Sequence, residues 1–298
     1  MNAAKLECVF AGDDPVRQSR AVGLLARCFD EWREFQKRYG DRFPFLELSF
    51  LALGADGAPA GHVGLMPFEI SDGRGGSLRM AGVASVGVAP EYRGRGIAAM
   101  LCEAAAVWAR EHGFDAMPLY TGVPPVYARC GWKTVPSGGR TLSAPPERAA
   151  ARRNWRQGSD LSEAEKTFIR RCYENSPPLA GRVRREEAGK SFHAWSNLFA
   201  NELNRFLVTP EGYALTTGGV LAEMAGDTDA VAGAVTEVPT AFLAPHDPAA
   251  RSLLRCGWQI TPARSDAPDC WHGEVAMVKT LAGRPLPDEL FFPLPDKF

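Results

Sequence analysis

At 298 residues, with 45% hydrophobic and 23% charged residues and a net charge of -1, the chain has an ordinary globular composition and length for about two domains. That balance excludes a nucleic-acid partner held by bulk charge. No apolar run approaches the roughly 18 residues that span a bilayer, and "MNAAKLECVFAGDDPVRQSR" lacks a basic start, so a cytoplasmic protein without membrane contact is expected.

The first predicted elements are a strand at Leu6–Phe10, a helical stretch through "VRQSRAVGLLARCF", and a hairpin in "LELSFLALGADGAPAGHVGLMPFEI". A second Gly-rich turn, "SDGRGG", leads into "SLRMAGVASVGVAP", a strand in which Val86 and Val88 alternate with small residues up to Pro90. From Gly96 to His112, the residues Ile97, Leu101, Ala104, Ala105 and Trp108 recur on one helical face, and Gly113 suits the C-cap. "FDAMPLYTGVP" then reads as a strand, "PPVYARCG" as a short helix and "WKTV" as a strand, so the fold class is α/β with a mixed sheet.

The Pro- and Arg-rich "SAPPERAAARRNWRQGSD" reads as a solvated linker and places the boundary between residues 1–145 and 146–298. The second part repeats the first in outline: helices to about Asn204, a hairpin in "RFLVTPEGYALTTGGVLAEMAG", and "TAFLAPHDPAARSLLRCGWQIT". The tetrapeptide RCGW occurs in both parts, and Arg255 minus Arg129 gives an offset of 126 residues, a domain period. The chain closes with the Pro-rich "GRPLPDELFFPLPDKF", expected to fray or to pack. Seven cysteines (Cys8, Cys28, Cys102, Cys130, Cys172, Cys256 and Cys270) form no CxxC, so reduced, buried thiols are expected rather than a metal site or a disulfide framework.

The chemistry-bearing stretch is "VGVAPEYRGRGIAAML", a strand, a basic glycine-containing turn and a helix start. The first amides of a helix lack intrahelical acceptors and carry the positive end of its dipole, which suits a phosphate or pyrophosphate. Gly94 and Gly96 let the backbone approach such a group, and Arg93 and Arg95 add charge. There is no GxGxxG followed by a ribose-binding acid and no GxxxxGK[ST], which disfavours dinucleotides and nucleoside triphosphates.

Arg93, Gly96 and Ala98 match the R-x-x-G-x-A motif of the GCN5-related N-acetyltransferase (GNAT) superfamily, with its V-x-V-x-P strand end before and a tyrosine and G-W after. From about residue 5 to 140 the chain resembles that superfamily. The resemblance implies acetyl-CoA as co-substrate, with Val86, Gly87 and Val88 along the pantetheine arm and Arg93, Gly94, Arg95, Gly96, Ile97 and Ala98 around the pyrophosphate. It implies direct acetyl transfer to a primary amine in a ternary complex, with the Val88 N–H polarising the acetyl carbonyl and Tyr127 protonating the departing thiolate. A phenol, with a pKa of about 10, holds that proton at neutral pH.

The base is left open among Glu69, His62, the C-terminal carboxylate of Phe298 and water; Cys130 is the rival nucleophile of a ping-pong route, though packing explains it better because Cys256 persists in the second part. That part has Leu253 where Tyr127 stands and no arginine in "LAEMAGDTDAVAGAVTEV", so it is expected to be degenerate. Tandem halves of this kind resemble the enhanced-intracellular-survival type of acetyltransferase, whose acceptors are aminoglycoside or lysine amines. In that type a third, sterol-carrier-like domain supplies a C-terminal carboxylate; too few residues follow here for one, and carry-over of the role to Phe298 is not licensed. The implied partner is therefore a small-molecule amine or a protein lysine, with a homo-oligomer left open. A non-catalytic acyl-CoA sensor is the alternative.

Overall fold

The computed structural model describes residues 6–40, 44–135, 139–147, 154–187, 193–261, 274–281 and 283–292. Strand β1 (Glu7–Phe10) leads to helix α1 (Pro15–Cys28), whose start is fixed by Asp14 accepting the Val16 and Arg17 amides, with proline at the first helical position. Ala21, Val22, Leu24 and Leu25 form its buried face. Helix α2 (Asp30–Tyr39) follows across an extended Phe29. The meander β2 (Ser49–Leu53), β3 (Pro59–Ser71) and β4 (Ser77–Val88) comes next. Then come α3 (Ile97–Glu111), β5 (Ala116–Thr121), α4 (Pro124–Ala128) and β6 (Lys133–Thr134).

The later elements are β7 (Arg140–Ser143), α5 (Glu163–Glu174), β8 (Val183–Arg184), α6 (Trp195–Ala200), β9 (Asn204–Thr209), β10 (Gly212–Thr217) and β11 (Val220–Gly226). They continue with α7 (Thr228–Ala234), β12 (Thr240–Leu243), α8 (Pro248–Arg255), β13 (Gln259–Ile260) and β14 (Val275–Thr280). Two mixed sheets result. One runs β1-β2-β3-β4-β5-β14-β6, with β8 added beside β3, and the other runs β13-β7-β12-β11-β10-β9.

The halves exchange a strand. β7 leaves the first half to pair with β12 and β13, while β14 returns from the far end of the chain to lie antiparallel between β5 and β6, from Val275 opposite Thr121 to Thr280 opposite Ala116. The expected division at 145/146 follows the order of the chain; β14 and β8 place later residues in the first sheet, and β7 places earlier ones in the second.

α3 buries Ile97, Leu101, Ala105 and Ala109 against Val63, Leu65, Val83 and Met117 of the first sheet, and Met277 of β14 joins that core. The second sheet has its own core, where Leu253 and Trp258 pack with Leu221 and Leu243. The described part of the Pro-rich tail is packed: Leu290 and Phe292 join Ile70, Met80 and Val278 beneath the first sheet, while Phe291 meets Phe242 of the second at 5.6 Å between ring centroids. The C-terminal carboxylate of Phe298, one of the open base candidates, lies outside the described residues.

Candidate active site

Both RCGW segments fold into the same helix stop. After α4, Gly131 N–H donates to Ala128 O at 3.1 Å and Trp132 N–H to Tyr127 O at 3.2 Å; after α8, Gly257 N–H donates to Leu254 O and Trp258 N–H to Leu253 O, each at 3.1 Å. These are the two bonds of a Schellman motif, which demands a left-handed residue, met by Gly131 (φ 86°) and Gly257 (φ 88°). The tryptophan that follows is buried in each copy. Where the copies differ is the residue whose carbonyl closes the motif: Leu253 is fully buried, whereas Tyr127 is half-buried and packs edge-on against Trp132 at 6.1 Å. No hydrogen-bond partner meets the Tyr127 hydroxyl among the described residues. Burial pushes its phenol above the ordinary tyrosine range, and the neighbouring Cys102 and Cys130 thiols push the same way. Cys130 is itself half-buried, with Sγ 3.7 Å from Val126 O.

β4 and β5 run parallel and share one register pair, Met80 with Ala116, near their beginnings; past it they part. Val88, at the far end of β4, pairs with Gly61, and the Ala89 amide donates to Ala60 O at 2.9 Å. That bond makes Gly61 and Val88 a non-hydrogen-bonded pair, so the Val88 N–H points away from β3 into the gap between β4 and β5.

The turn after β4 is tied down by its own arginines. Arg93 Nε donates to Val88 O at 3.2 Å, Arg95 donates to Glu91 O at 3.1 Å, and Arg27 of α1 grips Glu91 with bonds of 2.7 and 2.9 Å. Gly94 and Gly96 both have φ near 76°, in the left-handed region, and a Cβ at either would meet nothing within 4 Å. Gly96 caps α3 with no side chain over the first amides, and Arg93 through Gly96 are exposed. The side chain of Ile97 is buried in the α3 core and Ala98 is half-buried, so what these two offer a ligand is their amides. The second half closes the corresponding place: Asp227 accepts the Asp229 and Ala230 amides at 3.1 Å each, so its own carboxylate occupies the start of α7.

These features fit an extended thiol ester with a pyrophosphate: uncapped amides and glycines for the anion, a free strand edge for an amide-bearing arm, and a phenol packed against the same core as Val86 and Val88. Among the described residues no group of three or more His, Cys, Asp and Glu side chains converges as a metal set, and no helix is long and apolar enough to cross a membrane.

The two side chains among the base candidates separate. Glu69 lies eight residues along β3 from Gly61, roughly 26 Å at strand spacing, beside Arg184 at 3.8 Å, too far to serve Val88. His62 is adjacent to the site but fully enclosed. Sequence reasoning missed the Arg27–Glu91 clasp and the close approach of α1, where Cys28, Leu25 and Phe29 lie 3.3 Å from a Cβ built on Gly87. No local pattern marks contacts between residues sixty apart.

Residues 14–135 match the family model of an acetyltransferase (GNAT) domain, a family whose co-substrate is acetyl-CoA. No curated protein matches the chain in sequence. Solved structures share the fold over both halves. A GCN5-related N-acetyltransferase from Kribbella flavida has 18% identity and a TM-score of 0.62, over 93% of this chain and 71% of that one. Eis1 from Mycobacterium abscessus has 16% identity and a TM-score of 0.60, over 93% and 74%. A putative acetyltransferase from Pyrococcus horikoshii has 12% identity and a TM-score of 0.54, over 98% and 96%.

Proposed function

We propose that the protein transfers the acetyl group of acetyl-CoA directly to a primary amine, on a small molecule or a protein lysine, using the first half alone. The observation that carries this reading is the uncapped start of α3 at Gly96 beside the outward Val88 N–H. Bound acetyl-CoA supplies an activated acyl carbon. The amides of Ile97 and Ala98 receive the pyrophosphate, the edge at Val86–Val88 aligns the pantetheine arm, and the Val88 N–H takes the charge that builds on the carbonyl oxygen. The amine attacks as its free base and its proton leaves to water. As the C–S bond breaks, Tyr127 gives the thiolate its proton and is then reprotonated from water, which has taken the proton of the amine. The burial that holds the phenol neutral also raises the basicity of a thiolate left beside it, so the proton passes between two desolvated groups.

Thiol release tests this, measured with acetyl-CoA and a panel of polyamine, aminoglycoside, amino-acid and lysyl-peptide amines. Amine-dependent release is expected. Tight binding of acetyl-CoA with no release above the amine-free rate for any member would overturn catalysis and leave a sensor.

A further inference from the structure

His62 is adjacent to the site and unused by the chemistry above. On β3, Gly64 pairs with Ala84 and His62 with Gly87, so two residues of β4, Ser85 and Val86, oppose the single residue Val63. This is a β-bulge, and an extra residue reverses which faces and edges every later residue of the strand presents. Without it the Val88 N–H would not face the gap. The bulge has a conformational cost: Ser85 sits at φ 52°, the left-handed region that side chains other than glycine's rarely adopt.

One side chain hydrogen-bonds to the Ser85 carbonyl. His62 Nδ1 lies 2.8 Å from Ser85 O, and a carbonyl oxygen only accepts, so Nδ1 carries the proton and Nε2 the lone pair. Nε2 is buried and has no hydrogen-bond partner among the described residues. Gly61 faces α3, where a Cβ would meet Ile97 Cγ2 at 2.7 Å, so His62 faces the opposite side, with Gly87 and α1. There the ring is fully buried. Sealed in this way, Nε2 takes no proton from an incoming amine. An aliphatic residue would fill the same space and remove the unpartnered Nε2, but it would take the donor away from the Ser85 carbonyl. The feature that distinguishes histidine here is the Nδ1–H bond.

We propose that His62 is a positioning residue: its Nδ1–H staples the Ser85 carbonyl, fixes the bulge in β4 and thereby aims the Val88 N–H at the acetyl carbonyl. The inference rests on the reading of Val88 given above.

The test is a double-mutant cycle in the full chain, with kcat, acetyl-CoA affinity and melting temperature read for each variant. His62→Leu should melt close to the parent, since removing the orphaned buried nitrogen offsets the lost bond to the Ser85 carbonyl, yet kcat should fall about tenfold or more as the strained bulge relaxes. His62→Asn, whose amide N–H can reach the same carbonyl, should recover most of the rate. Ser85→Gly adopts the left-handed conformation without strain, so in that background His62→Leu should lose far less than tenfold. Equal losses in both backgrounds, or a His62→Leu variant as active as the parent, would overturn the staple. Should His62→Leu fail to fold, the comparison of His62→Asn with His62→Gln, whose longer side chain misplaces the amide, decides: equal rates overturn it. Gly96→Val, run alongside, separates the two levels, because undiminished acetyl-CoA affinity there would refute the cofactor site itself whatever His62 does.

Discussion

Removing residues 146–298 should destroy the acetyltransferase domain, although the matching region ends at residue 135. The missing piece is β14. It places Val275 and Met277 in the core beneath α3 and Val278 in the core on the opposite face, each at most 8% exposed. Burying a valine or methionine contributes about 1.5 to 3 kcal/mol, so the three amount to about 5 to 9 kcal/mol, against a whole-domain stability of about 5 to 15 kcal/mol. The truncation also strips the ladder from β5 along its whole length and exposes its edge. A 1–145 fragment should therefore lack a cooperative thermal transition by circular dichroism and bind acetyl-CoA with no measurable heat. Within the intact chain, Met277→Asp should lower the melting temperature and acetyl-CoA affinity together, by burying an unpaired carboxylate in the first half's core. A 1–145 fragment that melts cooperatively and binds acetyl-CoA like the full chain would refute the claim that the exchanged strand completes the catalytic half.

Tyr127→Phe keeps the ring against Trp132 and removes the proton, so kcat should fall about 10²- to 10⁴-fold while melting temperature and acetyl-CoA affinity hold; parental turnover with a good amine would assign the donor elsewhere. Stability should also carry the signature of His62, whose pKa burial lowers to about 4, with no charged side chain contributing to the shift. Since the unfolded imidazole titrates near 6.5, the unfolded state takes up a proton that the native state refuses as pH falls through that window. Urea unfolding should therefore show about 2 kcal/mol less stability at pH 5 than at pH 7 from this group, a loss absent from His62→Leu; equal pH dependence in the two would refute it.

Much of the first half was legible because its signals are local. The period of Ile97, Leu101 and Ala105 marks α3 to within a residue at each end, and "SDGRGG" marks the β3–β4 turn. RCGW was legible as a repeat because a Schellman stop requires glycine in the left-handed conformation, with the tryptophan beside it in the core. The strand exchange was not legible: "VAMVKT" alternates well enough for either sheet, and its pairing with β5 joins residues more than 150 apart. Nor was the bulge, since "ASV" carries no glycine to announce a left-handed residue, and the histidine that holds it lies on another strand. The expectation that the second half is degenerate rests in the sequence on a missing tyrosine and missing arginines; the Asp227 carboxylate over the first amides of α7 needed the structure.

Calorimetric titration of the full chain with acetyl-CoA tests most directly whether one helix start, at Gly96, holds the cofactor. The expected stoichiometry is one per chain, lost in Gly96→Asp, which would put a negative charge at the start of α3 and strain a left-handed position. Two molecules per chain, or one that survives Gly96→Asp with undiminished affinity, would contradict it.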